Sequence, residues 1–550
     1  MDFLKDTLNL CKSTTNNVFH GKEPWQIVSI TASTVFISVW MWDFLFRRDE
    51  SITERSKKTA FRLLKRVPQI KQKLEKESEK MIAEFEHEVA ERIKGQKTFG
   101  KLPPIGMDED QIVAIVKDHL DLGSYDWKKG KVSGAVYYYD EELIHLVTTV
   151  YGLASYTNPL HPDIFPGVNK MEAEVVRMTA QLFNGNKNSC GSMTTGGTES
   201  ILLAVKAFRD YAREEKGITK PELVVPITVH SAFDKAAQYL KIRIRYIPVD
   251  EDTTVNISEM RRAINSNTIL LVGSAPNFPY GTMDNIEEIS KLGVKYNIPV
   301  HVDCCLGGFV IALAGKLGFD VPQFDFRLPG VTSISADPHK YGFAPKGSSV
   351  ILYSDRKYRH HQYTVTTDWP GGVYGSPTVS GSRAGGIIAA CWATMLYFGA
   401  NGYLNSTTAI MTTSKYIENE LRSMDGIFIF GTPVTSVIAF GSKVFNIYLL
   451  SDALSKRGWN LNSLQFPSGI HICVTYLHTK PGVADQLLND IRTELAIIMK
   501  DPQQPIEGMY AVYGAAQGIP DRSIVGNFIR YFIDASYHIP ESEAILENEK

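Results

Sequence analysis

The 550-residue sequence has no excess of charge of either sign: 58 Lys and Arg residues stand against 60 Asp and Glu residues. This balance argues against a nucleic-acid partner bound by bulk charge. Cysteine is also scarce, with six residues and no Cys-x-x-Cys pair. A disulfide scaffold and a structural zinc site are therefore disfavoured, and we expect a reducing compartment and no metal. Hydrophobic residues make up 44% of the chain, which excludes wholesale disorder.

Charge is unevenly distributed along the chain. Residues 24–42, PWQIVSITASTVFISVWMW, carry none, and such a stretch of helix spans roughly 29 Å, about one hydrocarbon core. Trp25 lies at one end and Trp40 and Trp42 at the other, where interfacial aromatic residues are favoured. The stretch runs into DFLFRR instead of the small residues of a cleavage site. The sequence therefore predicts a retained transmembrane helix rather than a buried helix or a cleaved leader.

The charges that flank this helix predict its orientation. Three lysines precede it, whereas eight Lys and Arg residues lie within 47–66. The positive-inside rule therefore places the N-terminus in the lumen and the main body in the cytosol. In this topology the sequons at Asn256 and Asn405 should never be glycosylated.

From about residue 110, short apolar runs alternate with amphipathic stretches, as in an α/β protein with a buried, mostly parallel sheet. The predicted strands are 223–227, 269–272, 298–302, 331–335 and 349–353. After about residue 400 the pattern becomes that of a smaller α+β domain, with strands near 427–430 and 444–449. Helices are predicted over 71–94, 413–422 and 483–499. The parts expected are a lumenal N-terminus (1–24), a membrane helix (25–46), a basic connector (47–110), a large domain (111–400) and a small domain (401–550).

Four polar motifs follow predicted strands, where open α/β sheets bind ligands. They are the turn 194–200 (TTGGTES), His230, Asp303 and Lys340. In the turn, glycines let the backbone approach a ligand, and a helix start with the Thr198 and Ser200 hydroxyls suits a phosphate. The turn matches neither a dinucleotide nor a Walker motif. Taken singly, each motif has an ordinary alternative, such as a helix cap, a structural His or a surface Lys.

Together the four motifs provide a phosphate cradle, an aromatic ring, an acid and a lysine, which pyridoxal phosphate requires. Their order resembles the fold-type-I pyridoxal-phosphate enzymes of the group II decarboxylase superfamily. The resemblance implies that Lys340 carries the cofactor, Asp303 pairs with its ring nitrogen and His230 stacks on its ring. The other cofactor contacts that it implies are Gly196, Gly197 and Thr198 at the phosphate and Cys305 beneath the ring.

Longer strings narrow the resemblance to the sphingosine-1-phosphate lyase family, over nearly the whole chain. They are SGAVY (133–137), NPLHPDIFPG (158–167), ADPHKYGFAPKG (336–347) and GVYGSPTVSGSRAGG (372–386). Minor departures are Pro338 where Thr is common and Phe343 where Tyr is common. The resemblance implies an endoplasmic-reticulum enzyme that cleaves the C2–C3 bond of phosphorylated long-chain bases, giving a long-chain aldehyde and phosphoethanolamine.

The resemblance also implies the substrate site. Tyr137, His161 and Lys346, supported by Asn158, would bind the substrate's phosphate, and Tyr137 and His161 are also catalytic candidates. The base that takes the C3 hydroxyl proton is left open among four residues, Tyr137, His161, Tyr280 and Tyr513.

Because fold-type-I sites form at dimer interfaces, we also expect a homodimer. By family analogy, Ser380, Gly381, Ser382 and Arg383 reach the cofactor phosphate of the other subunit. Two alternatives remain open. An amino-acid decarboxylase would share the cofactor residues but would not need Lys346 and His161. A membrane-anchored interaction protein with a dead enzyme fold would usually lack the cofactor lysine, so Lys340 argues against it.

Overall fold

The computed structural model describes residues 2–46, 67–505 and 522–539, together with positions 56, 59, 60 and 63. The chain divides into two compact units. One comprises Met1–His119 with Gly518–Lys550, and the other comprises Leu120–Gln517. The first unit consists of helices in its described part, and the second is α/β.

The described helices of the first unit are Asp2–Phe19, Pro24–Phe46, Pro68–Arg92 and Arg522–Ala535, and Glu109–Leu120 reaches its boundary. The stretch Pro24–Trp42 is long and apolar enough to cross a bilayer and is not buried. Phe85 packs edge-on against Phe528 and Phe532, with ring centroids 5.0 and 5.6 Å away. The helix predicted over 71–94 is confirmed, and it begins earlier because Pro68 fits the first turn of a helix.

The centre of the second unit is a seven-stranded sheet of β1 (Cys190–Thr194), β2 (Glu222–Pro226), β3 (Arg243–Ile247), β4 (Thr268–Ser274), β5 (Val300–Asp303), β6 (Val331–Ala336) and β7 (Ser349–Tyr353). The strand order is β1-β7-β6-β5-β4-β2-β3. Neighbouring strands from β3 to β6 are parallel, whereas β7 is antiparallel to both of its neighbours. The predicted α/β class with a mostly parallel sheet is confirmed.

All five predicted strands of this sheet are present, as β2, β4, β5, β6 and β7. The prediction missed β1 and β3. β1 reads CGSMT, which is buried throughout yet is not an apolar run. β3 reads RIRYI and is a sheet-edge strand that is mostly only half-buried, so its pattern is mixed.

Helices pack around this sheet. They are Glu141–Ala154, Pro166–Leu182, Gly197–Lys216, Ala232–Leu240, Ile257–Ala263, Ile286–Tyr296, Gly308–Ala314, Arg356–His360 and Gly385–Arg422, and 3-10 turns lie at Trp127–Lys129 and Gly315–Leu317. The longest, Gly385–Arg422, is also apolar enough to span a bilayer, but much of it is buried in the protein core. It bends at Gly399, whose φ of 55° is not helical.

A second, antiparallel sheet follows in the chain, formed by β10 (Phe428–Ile429), β11 (Val437–Gly441), β12 (Asn462–Leu464) and β13 (Gly469–Cys473) in the order β10-β11-β13-β12. Helices Tyr448–Lys456 and Val483–Ile498 and the 3-10 turn Tyr476–Thr479 accompany it, and a short hairpin pairs β8 (Thr364–Thr366) with β9 (Tyr374–Ser376).

The strand predicted at 444–449 is wrong. The Ser442 hydroxyl accepts the N–H groups of Val444 and Phe445 at 3.0 and 3.2 Å, which makes a side-chain turn in place of a strand ladder. The helix from Tyr448 then follows. A short apolar run such as this one does not by itself distinguish a strand from other buried structure.

Candidate active site

Asp303 lies at the carboxyl end of β5, directly beside β6. Its Oδ1 accepts the N–H of Cys305 at 3.0 Å and the hydroxyl of Ser335 at 3.2 Å. Ser335 is its register partner on the neighbouring strand. The carboxylate is buried and held by two donors, so its position at the end of β5 is fixed.

Lys340 lies in the turn after β6 and pairs with Asp337, a residue to which the sequence analysis gave no role. The Lys340 Nζ is 2.9 Å from Asp337 Oδ2, and His339 Nε2 is 3.6 Å from the same oxygen. Burial opposes the charge of Asp337, but Lys340, His339 and Ser349 together hold the pKa of Asp337 below its usual range. Burial likewise opposes the charge of Lys340, but its neighbours, Asp337 foremost and then Cys305 and Tyr137, raise the pKa of Lys340.

The glycine turn lies against these groups. The helix Gly197–Lys216 begins at Gly197, where an added Cβ would lie 2.8 Å from the Cys305 Sγ and 2.9 Å from an Asp337 oxygen. At Gly196 an added Cβ would meet only His339, at 3.8 Å. The turn after β1 therefore has room for a ligand atom only because position 197 lacks a side chain.

The two hydroxyls predicted to assist this turn have different surroundings. Thr198 is exposed. The Ser200 hydroxyl is buried, 2.7 Å from Thr194 Oγ1 and 2.8 Å from Ser349 Oγ. Ser200 is thus used inside the core, and its prediction as a phosphate donor was wrong.

His230 follows β2 at the start of the next helix. Its Nδ1 accepts the N–H of Ala232 at 3.1 Å, and its ring meets Phe278 edge-on with 6.3 Å between centroids. These contacts orient a half-buried imidazole after a strand that ends on the same side of the sheet as β5 and β6.

Two of the four predicted substrate-phosphate residues contact each other. Lys346 Nζ lies 4.8 Å from the centroid of the Tyr137 ring and donates a hydrogen bond to the His339 carbonyl at 3.3 Å. Burial and the neighbouring Lys340 charge lower the pKa of Lys346 to about 8, although the residue keeps an exposed surface. Burial raises the pKa of Tyr137, so its phenol stays protonated at neutral pH.

The other two, Asn158 and His161, lie in the turn before helix Pro166–Leu182. Asn158 Oδ1 accepts the N–H groups of Leu160 at 3.1 Å and Arg383 at 3.2 Å. His161 is exposed, and its backbone N–H donates to the Asn158 backbone carbonyl at 3.1 Å. Among the described contacts, those of Asn158 and His161 join their turn to Arg383, and none of them reaches Tyr137 or Lys346.

The segment 380–382 lies near the glycine turn of the same chain. Glu199 links them: its Oε1 accepts the Val379 N–H at 3.0 Å, and its Oε2 accepts both the N–H and the hydroxyl of Thr195 at 2.7 Å. A cavity of about 190 Å³ opens between them, and its lining includes Thr194, Thr195, Gly347, Ser380, Ser382 and Arg383.

Two further residues near Lys340 were missed. Tyr341 donates to the Val474 carbonyl at 2.6 Å, and its hydroxyl lies 3.3 Å from the Cys473 Sγ. The Tyr137 and Tyr341 rings meet edge-on at 4.8 Å. Tyr341 lies within the family-like sequence 336–347, where it was given no role. Cys473 belongs to β13 of the second sheet, and no pattern in the sequence connects Cys473 to the site.

The proposed C3 bases are also separated by the structure. Tyr280 packs in a hydrophobic cluster with Phe430, Ala439 and Leu464, apart from the cluster that holds Tyr137. Tyr513 lies outside the described residues. Within the described ranges, no group of three or more His, Cys, Asp or Glu side chains is arranged to hold a metal ion.

The residues present fit pyridoxal phosphate. A lysine, a fixed carboxylate and an oriented imidazole lie at the carboxyl-terminal ends of parallel strands in one sheet. Beside them, a helix that begins with a glycine turn suits a phosphate.

Comparison with known proteins agrees with this arrangement. Residues 98–443 match the family model of the pyridoxal-dependent decarboxylase conserved domain. The chain is 59% identical to a sphingosine-1-phosphate lyase of Drosophila melanogaster, covering 96% of this chain and 97% of that protein. It is 46% identical to sphingosine-1-phosphate lyase 1 of Mus musculus, covering 98% and 94%. A solved sphingosine-1-phosphate lyase of Burkholderia pseudomallei superposes with a TM-score of 0.74 at 37% identity, over 82% of this chain and 99% of that one.

Proposed function

This chain belongs to the sphingosine-1-phosphate lyases within the pyridoxal-dependent decarboxylase family, and from that premise we propose its reaction. It cleaves the C2–C3 bond of phosphorylated sphingoid bases, giving a long-chain aldehyde and phosphoethanolamine. Pyridoxal phosphate is the cofactor. The observation that carries the proposal is the pair Tyr137 and Lys346, which stands beside Lys340 and offers a phenol and a cation to a second phosphate.

Lys340, Asp303 and His230 hold the cofactor in this proposal. Bound pyridoxal phosphate supplies an electron sink for the pair left at C2 when the bond breaks. Lys340 anchors it, Asp303 offers a fixed carboxylate to the ring nitrogen, and His230 offers a flat face to the ring. The backbone N–H groups at Gly196, Gly197 and Thr198 would bind the cofactor's phosphate, and Cys305 would lie beneath its ring.

Tyr137 and Lys346 orient the substrate. Because the Tyr137 phenol stays protonated, it donates a hydrogen bond, and the Lys346 ammonium provides a point charge. Binding the substrate's phosphate at a point remote from the reacting carbons fixes the direction of the C2–C3 bond. Binding energy is thereby used to orient the bond that breaks. Asn158 orders the turn that carries His161, the third residue proposed for the same phosphate.

His161 is the best-supported base for the C3 hydroxyl proton. Because the Tyr137 phenol stays protonated, it is a poor base, and Tyr280 is packed in its hydrophobic cluster. An imidazole has a ring nitrogen that can take up a proton. The exposed position of His161 leaves it accessible to a substrate.

A homodimer completes the site in this proposal. Large apolar side chains around the His161 turn are exposed in the single chain: Leu153 by 83%, Tyr156 by 98% and Ile164 by 67%. Such a concentration marks an interaction surface. A second copy covers it and brings Ser380–Ser382 of one subunit to the cofactor phosphate of the other.

Mixing two inactive variants tests this arrangement. A Lys340→Ala subunit keeps its loop, and a Ser380→Ala/Ser382→Ala subunit keeps its lysine. If the loop acts across the interface, their heterodimer regains one intact site and part of the activity. A mixture that exchanges subunits yet stays inactive contradicts the crossed arrangement.

The membrane anchor is proposed at Pro24–Trp42, with the N-terminus in the endoplasmic-reticulum lumen and the catalytic body in the cytosol. The unburied apolar helix and the basic sequence of 47–66 support it. The anchor keeps the enzyme beside the bilayer that holds a long-chain substrate.

Product identification tests the reaction. Incubation with sphingosine 1-phosphate should release equal amounts of a long-chain aldehyde and phosphoethanolamine. Release of carbon dioxide from amino acids instead would favour the decarboxylase alternative.

A further inference from the structure

Asp337 has no role in the proposed reaction. Its carboxylate nevertheless makes the shortest described side-chain contact of Lys340, at 2.9 Å. Asp337 is buried, with its side chain 2% exposed, and it lies three residues before Lys340 in the same turn. A buried carboxylate beside an ammonium is stable only while both charges are present. When Lys340 is bonded to the cofactor it no longer carries an ordinary ammonium, so the partner of Asp337 changes during turnover.

Asp337 also faces the cofactor's proposed phosphate turn. Both of its carboxylate oxygens lie within 3.2 Å of the position that a Cβ on Gly197 would take. A carboxylate at a phosphate cradle is unexpected, because two anions repel each other. Its close pairing with Lys340 gives the carboxylate a different purpose.

We propose that Asp337 is a positioning residue that receives the Lys340 ammonium whenever the lysine is released from the cofactor, and so sets the pH at which Lys340 takes the cofactor back. The inference rests on the proposed role of Lys340 as the cofactor lysine. To take the cofactor back, the ammonium first loses a proton to solvent. In turnover, the Lys340 nitrogen then forms a C=N bond to the cofactor's carbon and displaces the product amine, which leaves with the two hydrogens of the lysine amine. In the cofactor-free protein, the same nitrogen forms the C=N bond to the free aldehyde carbon, and the aldehyde oxygen leaves as water with those two hydrogens.

Several other groups act on Lys340 from the surrounding elements. His339 and Lys346 belong to the same loop as Lys340. The other described groups are Cys305 after β5, Tyr137 from an earlier loop, and Cys473 on β13. Lys346 opposes a second positive charge, and the two thiols and the phenol stay neutral because burial raises their pKa values. Asp337 is therefore the anion that dominates the proton affinity of the free lysine.

The test measures how fast cofactor-free, full-length protein recaptures the cofactor. Visible absorbance follows the capture, and borohydride trapping with peptide mass analysis identifies the lysine. Between about pH 6 and 9 the wild-type rate should rise with pH as the ammonium loses its proton. Asp337→Asn should displace this dependence to lower pH by about 1 to 3 units, the usual effect of a nearby opposite charge. Asp325→Asn is the matched control, since Asp325 is equally buried and pairs with Arg327 at 2.8 Å.

Pyridoxal, which lacks the phosphate, separates two causes. A displacement with both pyridoxal phosphate and pyridoxal supports the proposal. A displacement with pyridoxal phosphate alone would mean that Asp337 acts on the phosphate, and an unchanged pH dependence would mean that it has only a structural role; either result overturns the proposal. Asp337→Ser provides a second charge-free variant if Asp337→Asn does not fold. Failure of the lysine assignment is distinguishable, because trapping would then fall on a peptide without Lys340.

Discussion

The Lys346 ammonium lies over the Tyr137 ring, with 4.8 Å between Nζ and the ring centroid. The two residues are 209 positions apart in the sequence and come from different loops. Tyr137 is buried against Tyr341, the residue that follows Lys340, whereas Lys346 keeps an exposed surface. The contact therefore joins a buried ring beside the Lys340 turn to an exposed side chain. In the proposed function this pair binds the substrate's phosphate, which an amino-acid decarboxylase would not need.

Removing the substrate-phosphate residues should reduce turnover without removing the cofactor. Lys346→Ala loses a charged hydrogen bond, which is worth about 1.5–3 kcal/mol, or roughly 10- to 100-fold in kcat/KM. His161→Ala should also impair turnover. Steady-state kinetics with sphingosine 1-phosphate, together with the visible spectrum, checks both, and Lys316→Ala serves as an exposed control. Normal activity in both variants would refute their assignment.

The affinity for substrate should fall at alkaline pH. The pKa of Lys346 is lowered to about 8, so its positive charge is present below this pH and is lost as the pH rises through it. KM for the phosphorylated base should therefore rise above about pH 8. Lys346→Arg keeps its charge at these pH values and should flatten the dependence. The same alkaline rise in Lys346→Arg would assign the effect to another group.

Lys340→Ala should abolish both activity and the visible absorbance of the purified protein, because no other lysine is proposed to bond the cofactor. The circular dichroism spectrum should stay close to that of the wild type. A wild-type protein that is colourless after cofactor addition would revive the inactive-relative alternative.

Gly197→Ala should weaken cofactor binding. The new Cβ would lie 2.8 Å from the Cys305 Sγ and 2.9 Å from Asp337 Oδ2, so the turn must shift. Gly315→Ala, at the start of the 3-10 turn Gly315–Leu317 with open space around the added atom, is the matched control. Cofactor titration followed by absorbance measures the effect, and equal affinities in the two variants would remove the cradle from the account.

The proposed cytosolic orientation of the body predicts protease sensitivity in sealed microsomes and no glycan at Asn256 or Asn405. Full protection of the catalytic body, or a glycan at either site, would reverse the topology. Detergent-opened microsomes control for proteolytic access.

Residues at strand ends were the most predictable part of the site. Asp303 and Lys340 come at or after the ends of apolar strands, and parallel strands place their carboxyl ends on the same side of a sheet. Local patterns therefore indicated where these two residues lie. The same reasoning failed for Ser200, because a hydroxyl at a helix start reads alike whether it faces a ligand or the core. Only the packing of β7 brings Ser349 close to it.

Contacts between distant parts of the chain were not predictable. Asp337 stood in a quoted string, but its pairing with Lys340 depends on how the turn after β6 closes. Cys473 reaches Tyr341 only because the second sheet packs beside the first, which no local pattern encodes. The antiparallel direction of β7 likewise follows from tertiary packing, since its apolar run resembles that of the parallel strands.

The most direct test of the central claim is quantification of both products from one sample of sphingosine 1-phosphate and purified, cofactor-loaded protein. The account predicts long-chain aldehyde and phosphoethanolamine in equal amounts, both lost in Lys340→Ala. Intact substrate in the presence of a correctly folded, coloured protein would contradict it.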